Sequence, residues 1–193
     1  MDNNVFIGRT EADLSMTKSG VLFTLRAAAL IIKDNMFLAA KSNASDLYHT
    51  IGGGIKIHES SEEAVIREIY EETGHKLEID RIAFIQERFM KVKEQQYHEI
   101  VFFYLMKTPN DLNISNNSAT DHESETLHWL PLDNISEINL VPPFLKTKSF
   151  DNIISVEHII SDEVMPDDLH YIELAEQEYA QGETISHNDR NWK

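Results

Sequence analysis

The sequence predicts a single α/β domain, on three observations. An apolar, β-branched run at Val21–Ile32 reads as a buried strand, and Ser60 with Glu63 opens a helix that Gly74 closes. Two further strand-like runs, Leu77–Met90 and Tyr97–Lys107, follow that helix. At 193 residues the chain has room for one core, with residues 1–20 as a polar extension, 21–161 as the domain and 162–193 as a helical and polar tail.

Each element has a local cause. Lys33-Asp34-Asn35 is turn chemistry, so Met36–Ala40 should return beside Val21–Ile32 as a hairpin, and Ser42–Asp46 should form a loop. Gly52-Gly53-Gly54 lacks any Cβ, which permits a tight turn or a close backbone approach. The S-x-x-E capping box at Ser60 starts a helix near Ser61. The polar stretch Lys91–Gln96 joins the second pair of strands, Thr108–Asp121 has loop composition, and Thr126–Leu130 reads as a short strand. Leu132–Ile138 suits a helical turn, Pro142-Pro143 opens a short helix through Phe150, and Ile153–Ile160 alternates as a final strand. A tail helix is expected over Asp167–Gln181; its apolar Leu169, Ile172, Leu174 and Tyr179 would dock on the domain or on a homodimer partner.

Composition limits the chemistry. With 33 Asp and Glu against 17 Lys and Arg, the net charge of −16 repels phosphate backbones, so direct nucleic-acid binding is not expected. The longest apolar run, Ile100–Met106, is far short of a membrane span, and no secretory signal is visible near Met1, so a cytoplasmic protein is expected. There is no Cys, which removes thiolate metal sites and leaves carboxylates and nine His as the strong ligands. His49, His98 and His128 stand apart in sequence and are given no catalytic role.

Chemistry concentrates on the capped helix. With Ala64 at zero and about 100° per residue, Glu68 falls at roughly 40°, Glu71 at roughly 340° and Glu72 at roughly 80°. Val65, Ile66, Ile69 and Tyr70 take the arc from roughly 100° to 240° and are expected to face the core. Three carboxylates on one face repel one another. Arg67, spaced i, i+4 from Glu71, offers one compensation as part of a solvated charged face. A divalent cation offers another, since Mg²⁺ or Mn²⁺ takes one or two carboxylates, waters and substrate phosphate oxygens. The carbonyl of Gly53 could approach the same ion, and Glu59 could fold back to orient Arg67.

Gly53, Glu59 and Arg67-Glu68-Ile69-Tyr70-Glu71-Glu72-Thr73-Gly74 together resemble the Nudix box, G-x5-E-x7-R-E-U-x-E-E-x-G-U, where U is bulky and aliphatic. Eight of the nine constrained positions match. Chance would supply the seven fixed residues in about one of 10⁸ windows, so a merely solvated charged face does not account for them. The departures are His75 at the final aliphatic position, Ile51 where a Pro often precedes the glycines, and Lys56 and His58 within the loop. None removes a carboxylate.

The resemblance covers about residues 20–160 and implies an α/β/α sandwich with a central mixed sheet. It also implies hydrolysis of a pyrophosphate bond in a nucleoside diphosphate linked to another moiety, with Mg²⁺ or Mn²⁺ as cofactor. By motif position, Glu68 and Glu72 are the principal metal ligands, Glu71 is a further ligand, Gly53 supplies its carbonyl, and Arg67 and Glu59 organise the acids. Glu68, Arg67 and Glu71 form the expected catalytic group. Glu68 is the first choice of general base, with Glu99, Glu123 or Glu125 as alternatives. Arg26 and Arg88 are candidate phosphate contacts, although an ion pair suits either. Trp129, Phe89 and Tyr97 are aromatic groups able to stack a base or pack.

The substrate expected is a small phosphorylated molecule, a nucleoside triphosphate or a nucleotide conjugate. The Pro that marks the ADP-ribose-hydrolysing branch is not found between Gly74 and Lys107. A noncatalytic nucleotide-sensing or protein-interaction module on the same fold is the alternative.

Overall fold

The computed structural model describes residues 12–42, 46–92, 95–116, 118–119, 125–150 and 153–162. Among these, eleven strands form one mixed, curled sheet: β1 (Ser15–Lys18), β2 (Val21–Lys33), β3 (Met36–Ser42), β4 (Tyr48–His49), β5 (Gly52–Gly54), β6 (Glu78–Val92), β7 (Gln95–Lys107), β8 (Ser118–Ala119), β9 (Glu125–Pro131), β10 (Leu140–Val141) and β11 (Glu157–Ser161). One α-helix, α1 (Ser61–Thr73), covers one face. Two 3₁₀ helices, Leu132–Glu137 and Pro143–Thr147, cover the other. This layering agrees with the expected sandwich, the second helical layer being made of short turns.

β2 is the organising strand. It runs parallel to β7 from Val21↔Gln96 to Leu30↔Leu105, and its other edge pairs in turn with β1, β5 and β3. The β2–β3 turn has Asp34 and Asn35 both at positive φ, the backbone that two-residue hairpins prefer. β6 and β7 form the second hairpin and reach further than expected, pairing Val92 with Gln95.

Residues 13–18, which the sequence placed in a polar extension, join the sheet. β1 pairs with β2, and Asp13 bridges Lys56 beside the glycine strand. The final strand also shifts, because Ile153 is buried in the core while Ile154 is 96% exposed, so pairing begins only at Glu157. The expected tail helix at 167–181 and Glu123 lie outside the described residues.

The two faces of β2 differ in bulk. Ala27 and Ala29 point toward α1 and let Ala64, Val65 and Ile69 approach closely, whereas Phe37, Phe84 and Phe103 fill the opposite face under Leu145 and Phe150. Burying Val65 and Ile69 stabilises the helix contact by about 1.5–3 kcal/mol each. Ser61 Oγ lies 2.7 Å from Tyr104 Oη, tying the first turn of α1 to β7. No helix among the described residues is long and apolar enough to cross a membrane.

Candidate active site

The capping box forms as expected. Ser60 Oγ accepts from Glu63 N–H, Glu63 accepts in return from Ser60 N–H, and Gly74 closes the helix at φ 71°. The orientation of α1 differs from the expected one. Ile66 and Tyr70 are exposed, at 37% and 51%, while Glu68 and Glu72 are 9% and 5% exposed. The buried arc runs from Ala64 to Ile69 with these two acids in its middle. Of Glu68, Glu71 and Glu72, only Glu71 lies on the solvated side.

Such burial needs partners, and Arg67 is the main one. Its Nε and Nη2 hold both oxygens of Glu59, at 2.7 and 2.9 Å, while Nη1 reaches Glu68 at 2.5 Å and Glu71 at 2.9 Å. Nη2 also donates to the Gly54 carbonyl at 3.0 Å. Burial works to raise the pKa of Glu59, but hydrogen bonds from Arg67 and from Lys56 N–H outweigh it, and the pKa ends below the usual range. For Glu68 burial prevails over Arg67, and its pKa is raised. Glu59 is therefore a settled structural anion, and Glu68 a carboxylate whose desolvation is not fully offset.

β5 serves the site through its edge. Ile55 N–H donates to Leu25 C=O at 3.0 Å and Ala29 N–H to Ile51 C=O at 2.8 Å, which puts the intervening Ala27/Gly53 pair in the same hydrogen-bonded phase. The Gly53 carbonyl thus points into the ladder. Gly52 and Gly54 direct their polar groups outward: Gly52 N–H donates to Glu72 Oε1 at 2.9 Å, and Arg26 Nη2 stands 3.5 Å from the Gly52 oxygen. The sequence assigned the carbonyl of Gly53 to the ion; the register turns that of Gly52 to the cleft instead. Gly53 matters for another reason, since a Cβ there would lie 2.4 Å from Glu68 Oε1.

A cleft of about 260 Å³ opens here, bringing Glu68, Glu71 and Glu72 together with the glycines, Arg26 and Arg67. Asp13, His49, Lys56 and Glu125 also line it. Asp13 arrives through β1, and His49 through pairing of β4 with β3. Neither was legible as a site residue, because each depends on strand neighbours distant in sequence.

Other candidates lie elsewhere. Glu99 is held by Arg88 at 3.0 Å across the β6–β7 ladder, is 3.9 Å from Arg26, and does not line the cleft. Arg88, at 8% exposure, therefore has the ion-pair role. Phe89 stacks on His98, Tyr97 is buried beside Met90, and Trp129 Nε1 donates to Ile114 C=O. None of these aromatics lines the cleft.

His49 has a stability consequence. Burial, and secondarily Arg26, lower its pKa from 6.5 to about 4. The unfolded chain then binds a proton that the folded chain refuses, so His49 costs stability as pH falls from 6.5 to 4, at roughly 1.4 kcal/mol per pH unit. Urea titrations should show His49→Phe losing less stability than the parent across that window. Identical slopes for the two proteins would contradict the assignment.

The NUDIX domain model matches residues 22–148. The chain belongs to the Nudix family. Nudix proteins hydrolyse pyrophosphate bonds in nucleoside diphosphate derivatives, and this chain is a pyrophosphohydrolase of that kind. Among solved structures, a MutT protein from Bacillus halodurans is similar at a TM-score of 0.59 and 16% identity, covering 75% of this chain and 92% of that one. An ADP-ribose pyrophosphatase from Streptococcus suis is similar at a TM-score of 0.42 and 16% identity, covering 70% and 98%. No curated protein sequence matches. At these identities the structural likeness speaks to the Nudix fold alone, and substrate choice has to be argued from the cleft.

Proposed function

We propose that this Nudix protein is a Mg²⁺- or Mn²⁺-dependent hydrolase of a nucleoside triphosphate or nucleotide conjugate. The observation that carries the reading is the burial of Glu68 and Glu72 beside an all-glycine edge strand. Acids at 9% and 5% exposure are costly unless a cation compensates them, and Arg67 only partly relieves Glu68.

The residues fit a hard cation. Their donors are oxygens, and the absence of a Cβ at Gly53 leaves Glu68 its place. Among the described residues no three His, Asp or Glu side chains already form a cage for a metal. Mg²⁺ is commonly held by one or two carboxylates, with water and substrate phosphates completing its shell. Glu68 and Glu72 would be the main ligands, with Glu71 and the Gly52 carbonyl beside them. A bound divalent ion polarises phosphoryl oxygens and lowers the pKa of attacking water.

The chain's own groups do the rest. Arg67 keeps Glu59, Glu68 and Glu71 from repelling one another, and Arg26 offers a guanidinium to a phosphate at the cleft wall. Of the candidate bases among the described residues, Glu99 is engaged by Arg88 and does not line the cleft, whereas Glu68 and Glu125 do. A cytoplasmic location goes with this reading.

A panel of nucleoside triphosphates, nucleotide sugars, dinucleoside polyphosphates and ADP-ribose, read by phosphate-containing products, tests the reading. Turnover with Mg²⁺ or Mn²⁺ that EDTA abolishes is expected. No product from any member, with either ion, would reject it.

A further inference from the structure

His49 and Glu125 meet on the wall facing α1 through three strands. Ala40 of β3 pairs with His49 on one side and with Leu127 on the other. Directly paired residues share a face, and Glu125, two positions before Leu127, shares it as well. That face is the one under α1, since Ala40 and Leu127 pack in one cluster with Ala64 and Val65. Ala40 is fully buried and small, which leaves room above it for an imidazole and a carboxylate.

The two groups stand 3.5 Å apart, Nε2 to Oε1, each side chain 13% exposed, and both line the cleft that holds Glu68 and Glu72. Neither belongs to the motif. The low pKa of His49 leaves its ring neutral near pH 7, so it can offer one N–H while its other nitrogen accepts. A neutral imidazole N–H closing that 3.5 Å gap would orient the carboxylate without quenching its basicity as a guanidinium does.

We infer that His49 is the positioning residue of Glu125, holding that carboxylate where it accepts the proton of the attacking water. The inference rests on the pyrophosphohydrolase reading above. In the step, the water oxygen forms a bond to phosphorus and the anhydride P–O bond breaks. Its electron pair leaves on the departing phosphate oxygen. The water proton passes to Glu125 and then to solvent, so one water is consumed and nothing is oxidised or reduced.

The experiment uses the full chain, a substrate that the parent turns over, and saturating Mg²⁺, with Mn²⁺ affinity followed by electron paramagnetic resonance. Glu125→Gln should lose about 10²-fold or more in kcat, the usual worth of a general base. Its KM should stay within about threefold and its Mn²⁺ affinity should be unchanged. His49→Phe keeps the ring but loses the donor, and should lose about tenfold in kcat, the worth of a hydrogen bond to a charged group. His49→Gln, whose amide still donates, should recover most of that loss.

Equal kcat for His49→Phe and the parent would overturn the inference. So would equally low rates for the Phe and Gln variants, which would mark a packing role, or a fall in Mn²⁺ affinity in Glu125→Gln, which would make Glu125 a ligand. A parent inactive on every substrate would instead sink the pyrophosphohydrolase reading, and this inference with it. An active parent whose His49 variants behave otherwise than stated sinks the His49 assignment alone.

Discussion

Glu72→Gln is expected to lower kcat by about 10²-fold or more, on the premise that charge stabilisation by a bound cation is worth several kcal/mol. The substitution is nearly isosteric. The amide oxygen can still accept from Gly52 N–H, the 2.9 Å contact that Glu72 makes now, so β5 and α1 should stay in register. What is lost is one negative charge at a position only 5% exposed. The chain should therefore melt at or above the parent temperature while binding Mn²⁺ more weakly. Calorimetry and steady-state kinetics read the two effects separately. Equal turnover by parent and variant would remove Glu72 from the metal site.

Arg67→Ala is expected to have the largest effect on stability, about 3–5 kcal/mol, the range for breaking a buried ion pair by removing one partner. The Glu59 carboxylate, with its side chain 5% exposed, would lose both hydrogen bonds from the guanidinium. Glu68 would lose its contact with the guanidinium, and the Gly54 carbonyl would lose a donor. Arg67→Lys should recover less than half, because an ammonium cannot reach Glu59 with a fork while also meeting Glu68, Glu71 and Gly54. Urea denaturation measures both variants. An unchanged midpoint for Arg67→Ala would mean that these contacts add nothing to the folded state.

The capping box, the Gly74 stop and both long hairpins were legible because each depends on neighbours within a few positions: Ser60 with Glu63, Asp34 with Asn35. The buried face of α1 was misjudged because a helical wheel weighs only hydrophobicity. It placed Ile66 and Tyr70 inward and the acids outward. Arg67, reaching across to the 54–59 loop, makes burial of Glu68 tolerable, and that reach is a tertiary contact. Likewise the box identifies a glycine but not the side of a ladder toward which its carbonyl turns. The hydrogen bonds of Leu25 and Ala29 decide that in favour of Gly52.

Strand register accounts for the other differences. Arg88 and Glu99 are direct partners across β6 and β7, so each is the other's counter-ion and neither lines the cleft. His49, isolated in sequence, gains Glu125 through Ala40. By itself the sequence determined the family, the helix with its caps and the acids that a cation would need, because local backbone preference and residue type are properties of short segments. Tertiary structure decided which acids are buried, which carbonyl faces the cleft and which imidazole meets which carboxylate. Those outcomes follow from the pairing of strands far apart in the chain, and a shift of one residue in any pairing would turn the same side chains to the opposite face.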